Sequence, residues 1–177
     1  MNEMLKKTLR AAAICVAVTG CKSASFMSRQ PDAVCVVAPL GGSAVSGKVS
    51  FTQEANDVLV EVELSGLSQG PHGIHIHEHG DCSTVGEAAG GHFNPFSRSH
   101  GMAAMAESHA GDLGNIVADA KGNARLSLRD QFVQLGGANG VLGRAIIVHA
   151  QEDDRVSQPG GNAGGRIACG LITAVVR

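Results

Sequence analysis

Val58-Leu59-Val60-Glu61-Val62-Glu63-Leu64 decides the architecture. From Val60 onward apolar and acidic residues alternate, so Val60, Val62 and Leu64 face one way and Glu61 and Glu63 the other. That pattern is a half-buried strand, because a helix would scatter the same side chains around its circumference. The period recurs outward in both directions. Val45, Val49 and Phe51 share one face, and Leu126 and Leu128 oppose Arg125, Ser127 and Arg129. Continuous β-branched runs at 35–38, 145–148 and 171–176 also read as strands, the first within a buried-strand pattern at 33–37. Gly41-Gly42, Gly66, Gly70-Pro71, Lys121-Gly122-Asn123 and Gly136-Gly137 supply the turns between them. Eight strands are expected, near 33–39, 44–51, 57–64, 72–78, 113–119, 124–130, 143–150 and 169–176. No stretch carries a helical stripe of useful length. The chain is therefore all-β, with antiparallel strands in a sandwich or flattened barrel.

Composition agrees with this reading. The 177 residues include 24 glycines, 5 Phe, no Trp and no Tyr, which suits a turn-rich β domain and excludes an aromatic-lined groove for single-stranded nucleic acid. Residues 1–21 read as an export signal, with Lys6, Lys7 and Arg10 ahead of a short apolar core that ends at Thr19-Gly20-Cys21. Its loss takes the formal charge from −2 to about −4, leaving no basic field for nucleic acid. Val18-Thr19-Gly20-Cys21 also resembles a bacterial lipobox, with lipid on Cys21 as a membrane anchor. A plainly cleaved signal is the alternative. Residues 22–32 read as a flexible tether and 33–177 as the folded domain. The expected location is the periplasm or cell envelope.

Export permits disulfides. Cys15 leaves with the signal, and Cys35 lies in an apolar strand where a thiol packs as a small hydrophobe. Cys82 and Cys169 remain as the natural pair.

Two connections are unusually long for a compact domain, near 79–112 and 150–168, and length of that kind usually accompanies function. All eight His residues, at 72, 75, 77, 79, 92, 100, 109 and 149, lie beyond position 71, and seven of them lie within 72–109. His75 and His77, two apart on a strand, place both imidazoles on one face, a pair suited to copper or zinc. His149 ends another strand that could bring it beside them. His92, His100, His109 and Asp112 offer three nitrogens and one oxygen from one loop, the donor set of a closed tetrahedral zinc site. Whether one metal or two bind stays open on spacing alone.

Four motifs carry a resemblance. They are 75–81 (His-Ile-His-Glu-His-Gly-Asp), 91–95 (Gly-His-Phe-Asn-Pro), 109–115 (His-Ala-Gly-Asp-Leu-Gly-Asn) and 161–170 (Gly-Asn-Ala-Gly-Gly-Arg-Ile-Ala-Cys-Gly). Together, and in this order, they resemble the copper–zinc superoxide dismutase family over about 33–177. The resemblance implies an eight-stranded Greek-key β-barrel that holds one copper and one zinc ion. Copper would be held by His75, His77, His92 and His149, and zinc by His92, His100, His109 and Asp112, so His92 would bridge the two. The implied reaction converts superoxide to dioxygen and hydrogen peroxide by alternate reduction and oxidation of copper. Arg166 would orient the anion, His92 would carry a proton, and Asp153 would join a copper-ligand His to a zinc-ligand His from behind. His72 and His79 are not implied ligands, and His72 reads as a hydrogen-bonded structural residue.

The sequence departs from the family in its second long loop. Residues 154–161 are several residues short of the usual length, and Gln158-Pro159 stands where a lysine is expected. Weaker electrostatic guidance of the substrate follows, with Arg155 the candidate to compensate. A non-catalytic copper–zinc binding protein, a zinc hydrolase and a structural envelope lipoprotein are the competing readings. The complete ligand set and Arg166 weigh against the first; the second lacks a clear general base near His92–His109 and leaves His75, His77 and His149 unexplained; loss of a ligand would favour the third, and none is lost. A homodimer through the disulfide loop and last strand is one expectation and a monomer the other, since His79, Thr173 and Ala174 offer that face little apolar area.

Overall fold

A computed structural model describes residues 29–176. The segment expected to be an export signal, Cys21 and most of the expected tether lie outside the described residues. Eight antiparallel strands, β1 (Ala33–Pro39), β2 (Ser46–Gln53), β3 (Val58–Ser65), β4 (Gly70–His77), β5 (Asp112–Ala118), β6 (Ala124–Asp130), β7 (Ala145–His149) and β8 (Arg166–Ala174), follow in chain order. They close into one barrel in the spatial order β1-β2-β3-β6-β5-β4-β7-β8. The departure from chain order, β3 beside β6 and β4 beside β7, is the Greek-key crossover.

Register follows the alternation read from the sequence. Val49 pairs with Val62 and Phe51 with Val60, and Val62 and Val60 pair in turn with Leu126 and Leu128. Val49, Val60 and Phe51 are fully buried. On the outer face the register sets Glu63 opposite Arg125, whose side chains stand 3.3 Å apart. A one-residue slip would turn the whole apolar set to water, so this pairing is strongly specified.

The continuous apolar runs resolve in two ways. In β1 and β8 they still alternate, with Val36 73% exposed and Leu171 43% exposed while Val37 and Ile172 are buried. In β7 all five residues are buried. Ile146 and Val148 enter the main core, and Ala145 and Ile147 form a second cluster outside the barrel with Ala89 and Cys169. β7 is apolar on both faces because a long loop covers its outer side.

That loop, residues 78–111, is sewn onto β4. Ile76 donates its N–H to Gly111 and accepts from the N–H of Phe93, and Glu78 donates to Gly91. Gly111 has to be glycine, since a Cβ there would collide with the Ile76 carbonyl. Cys82 and Cys169 form a disulfide that ties the loop to β8. Between them lies a 3-10 segment, Thr84–Ala89, with Val85 and Gly86 in the left-handed region. The sequence carries no helical stripe there because the turn is held by its docking, not by a buried face.

Strand limits differ from expectation by one to three residues except in β1 and β6. The largest shift is at β8, which opens at Arg166, so Arg166 and Cys169 share one strand. Asp32, expected at the end of the tether, is hydrogen-bonded to Phe51, Gln53 and Val175.

Candidate metal centre

β4 alternates Ile74 and Ile76 into the core with His75 and His77 onto the outer side of the barrel. The two long loops close over that side, so both imidazoles are buried, at 0% and 1% exposure. β7 lies next to β4, and its end brings His149 to the same place. β5 begins at Asp112, paired with His75 across the ladder. His92, His100 and His109 come from the loop stitched to β4.

Two groups of metal-ligating atoms result, His75–His77–His92–His149 and His92–His100–His109–Asp112, each with its donor atoms within 4.8 Å of one another. His92 belongs to both. Its Nδ1 lies 2.8 Å from Asp112 Oδ1, and its ring stacks 3.9 Å from that of His75 and meets that of His77 edge-on at 5.0 Å.

In the first group each of the other three rings is anchored through one nitrogen. His75 Nε2 lies 2.9 Å from Asp153 Oδ2, His77 Nδ1 2.9 Å from the Gly90 carbonyl and His149 Nδ1 3.1 Å from the Gly164 carbonyl. The opposite nitrogens, His75 Nδ1, His77 Nε2 and His149 Nε2, are buried with no hydrogen-bond partner among the described residues. Buried nitrogens are rarely left this way. Three bare lone pairs meeting at one point, each on a ring fixed from behind, are the arrangement of a metal site. In the second group Nδ1 of His92, His100 and His109 lie 2.8, 3.0 and 3.2 Å from one oxygen, Oδ1 of Asp112. The other oxygen accepts the N–H groups of Gly101 and His109. The residues fit a copper ion in the first group and a zinc ion in the second.

Electrostatics point the same way. Burial pushes His75 down to about 3, His77 to about 2 and His149 to about 4, so all three are neutral ligands at neutral pH. Burial also lowers His92. Burial works against protonation of His100 as well, but hydrogen bonds to Asp112 and Asp153 outweigh it and raise the ring to about 9. Burial would raise both carboxyls, yet their imidazole partners hold Asp112 and Asp153 well below the ordinary carboxylate range. Two buried carboxylates, beside the neutral rings of His75, His77 and His149, make a pocket for cations.

Asp153 lies behind the two groups. One oxygen faces His75, and the other lies 2.8 Å from His100 Nε2. Its backbone pairs with the Asn115 side chain through two 2.8 Å bonds, a support that sequence reasoning missed. The last motif residue of 109–115 was the available signal. His72 is buried, with Nδ1 2.9 Å from the His149 carbonyl and Nε2 3.0 Å from Ser68 Oγ. His79 belongs to neither group, and its side chain is exposed beside Glu78.

Beside the first group opens a cleft of ≈ 450 Å3, lined by His77, His92, His149 and Arg166 among others. Arg166 is held in it by the carbonyls of Gly86 and Gly90, the latter at 2.7 Å. Backbone carbonyls leave no mark in a sequence, so these two holders could not be read from it. Glu87 reaches toward the same guanidinium, 3.7 Å from Nε. Pro159 and Gly160 line the cleft from the second loop, whereas Arg155 is not among its lining residues.

Comparison with known proteins agrees with the geometry. Residues 45–172 match the family described as copper/zinc superoxide dismutase. An extracellular copper–zinc superoxide dismutase of Brugia pahangi is 42% identical over 137 residues, 72% of this chain and 69% of that protein. A copper–zinc superoxide dismutase of Onchocerca volvulus is 43% identical over 147 residues, 77% of this chain and 93% of its own length. One from Mesembryanthemum crystallinum is 43% identical over 139 residues, 75% and 89%. By sequence and by the residues its fold brings together, the chain belongs to the copper/zinc superoxide dismutase family.

Proposed function

We propose that this chain is an exported superoxide dismutase, acting by 2 O2•− + 2 H+ → O2 + H2O2. The observation that carries it is the grouping of three bare imidazole nitrogens, two of them on rings, His77 and His149, that line the same cleft as the clamped arginine. When bound, copper at His75, His77, His92 and His149 supplies a one-electron couple, and zinc at His92, His100, His109 and Asp112 supplies fixed positive charge. Arg166 presents donors to a diatomic anion while Gly86 and Gly90 hold its guanidinium still. With Nδ1 of His92 turned to Asp112, Nε2 is the atom that takes a proton in one half of the cycle and gives it up in the other. Solvent in the cleft delivers the second proton. Asp153 keeps the rings of His75 and His100 in the tautomers that leave their Nδ1 atoms free for metal.

Superoxide consumption by the metal-loaded protein tests this. Wild type is expected to be active and Arg166→Ala to lose roughly 10-fold or more. A fully loaded wild type with no activity refutes the reading.

Residues 1–21 support export, and we propose that Cys21 carries a lipid that anchors the domain 33–177 to the cell envelope through residues 22–32. Labelling with a radioactive fatty acid in wild type and Cys21→Ala tests that. Monomer and homodimer are separated by analytical ultracentrifugation of the unlipidated domain. The exposed apolar residues Val36 and Leu171 lie on the paired strands β1 and β8, the face a dimer would cover.

A further inference from the structure

The second long loop, though short, is built around one carboxylate. Asp154 Oδ1 accepts the N–H groups of Val156 and Ser157 at 2.9 and 2.8 Å, and Oδ2 accepts Ser157 Oγ–H at 2.6 Å and Asn162 Nδ2–H at 3.1 Å. Backbone bonds close the same turn, from Asp154 N–H to the Gly161 carbonyl and from Gly161 N–H to the Ser157 carbonyl. A turn fixed on itself in this way gives up little further freedom when it docks.

What it presents is Gln158. The amide oxygen accepts the N–H of His100 at 2.8 Å, and the amide nitrogen donates to the His100 carbonyl at 2.9 Å and to the Val156 carbonyl at 3.2 Å. His100 lies outside every strand. The glutamine amide therefore supplies the paired donor and acceptor that a neighbouring strand would otherwise give its backbone. We propose that Gln158 is a positioning residue for the zinc site, fixing the His100 backbone so that its ring spans Asp112 and Asp153. This rests on reading His92, His100, His109 and Asp112 as that site.

Two neighbours in the turn show that it is seated against the same rings. A Cβ on Gly160 would stand 3.4 Å from His92 Nε2, and one on Gly161 would collide with Asp153 Oδ1 and crowd His100 Nε2. The His100 ring is held at both ends, 3.0 Å from Asp112 and 2.8 Å from Asp153. A small swing of its backbone would break one of the two. Gln158 itself is exposed, so its role lies in these bonds and not in burial.

Zinc affinity by chelator competition, with the visible spectrum of cobalt placed in the zinc site, reads this out in wild type, Gln158→Ala, Gln158→Glu and Asp112→Ala. Gln158→Ala is expected to lose about 10-fold in zinc affinity and to shift the cobalt bands. Gln158→Glu keeps the acceptor, loses both donations and is expected to recover only part of the loss. Zinc affinity of Gln158→Ala within about twofold of wild type, or a lower melting temperature of its metal-free form with zinc affinity unchanged, overturns the proposal. A wild type that binds zinc no more tightly than Asp112→Ala overturns instead the zinc-site reading beneath it.

Discussion

Nε2 of His100 lies 2.8 Å from Oδ1 of Asp153, and both side chains are fully buried. The other oxygen of the same carboxylate serves His75, so one residue orients a ring in each metal group. Asp153→Asn cannot accept from both imidazoles, because its amide nitrogen would face an N–H. The variant is expected to bind zinc roughly 10–100-fold more weakly, measured by chelator competition. Unchanged affinity would show that the two rings are held without it.

The two sites should differ in their response to acid. His75, His77 and His149 are already neutral above about pH 4, so protons compete little for those three ligands between about pH 5 and 8. His100 keeps a proton up to about 9 in the metal-free protein, and a metal has to displace it. Zinc affinity should therefore fall steadily from pH 8 to 6 with a proton released on binding, while copper affinity stays flatter. Titration calorimetry in buffers of different ionisation enthalpy measures both. Equal pH slopes would contradict the assignment.

Stability of the metal-free protein follows from the same groups. The three depressed histidines bind protons more readily when unfolded, near the ordinary value of about 6.5, so stability is lost as pH falls below that. The raised His100 works oppositely: its contribution is full below about 6.5 and is lost as pH rises through about 9. The melting temperature should peak near pH 6–7 and decline on both sides. A monotonic profile across pH 5–9 would be inconsistent with these shifts.

Cys82 and Cys169 are 87 residues apart in sequence. In the chain-entropy account such a closure contributes about 4–5 kcal/mol. The bridge also fastens the loop whose Gly86 and Gly90 carbonyls hold Arg166. Cys82→Ser is expected to lower the melting temperature and also the activity of the surviving folded protein. Full specific activity in the folded fraction would mean that Arg166 keeps its place without the tether.

Glu87 puts a negative charge at the mouth of a cleft proposed to admit an anion, 3.7 Å from Arg166 Nε. Glu87→Gln should raise the second-order rate constant about 2-fold at low ionic strength, with the gain fading in salt. No gain at low salt would show that this carboxylate is screened from the approach path.

Much of this was legible beforehand, for physical reasons. Residues 58–64 alternate because a barrel wall has one wet face and one dry face, and β3 is built that way. His75 and His77 announced a shared face because strand geometry leaves them no other choice. Val36 misled, since a run of apolar residues does not reveal which faces later segments will cover: β1 leaves Val36 in water, whereas the disulfide loop covers the outer side of β7, whose inner side faces the core. The Gln158–His100 pairing was invisible as well, because it joins a side chain to a backbone 58 residues away and no spacing rule encodes that.

The proposed mechanism turns on the ring of His92 being shared between the two metals. Electron paramagnetic resonance of copper-loaded protein, recorded before and after zinc is withdrawn from its site, tests it most directly. A clear change in the copper spectrum is expected, because the imidazole would lose its second cation and take up a proton on Nδ1. Superimposable spectra, with zinc binding shown by direct analysis beforehand, would contradict it.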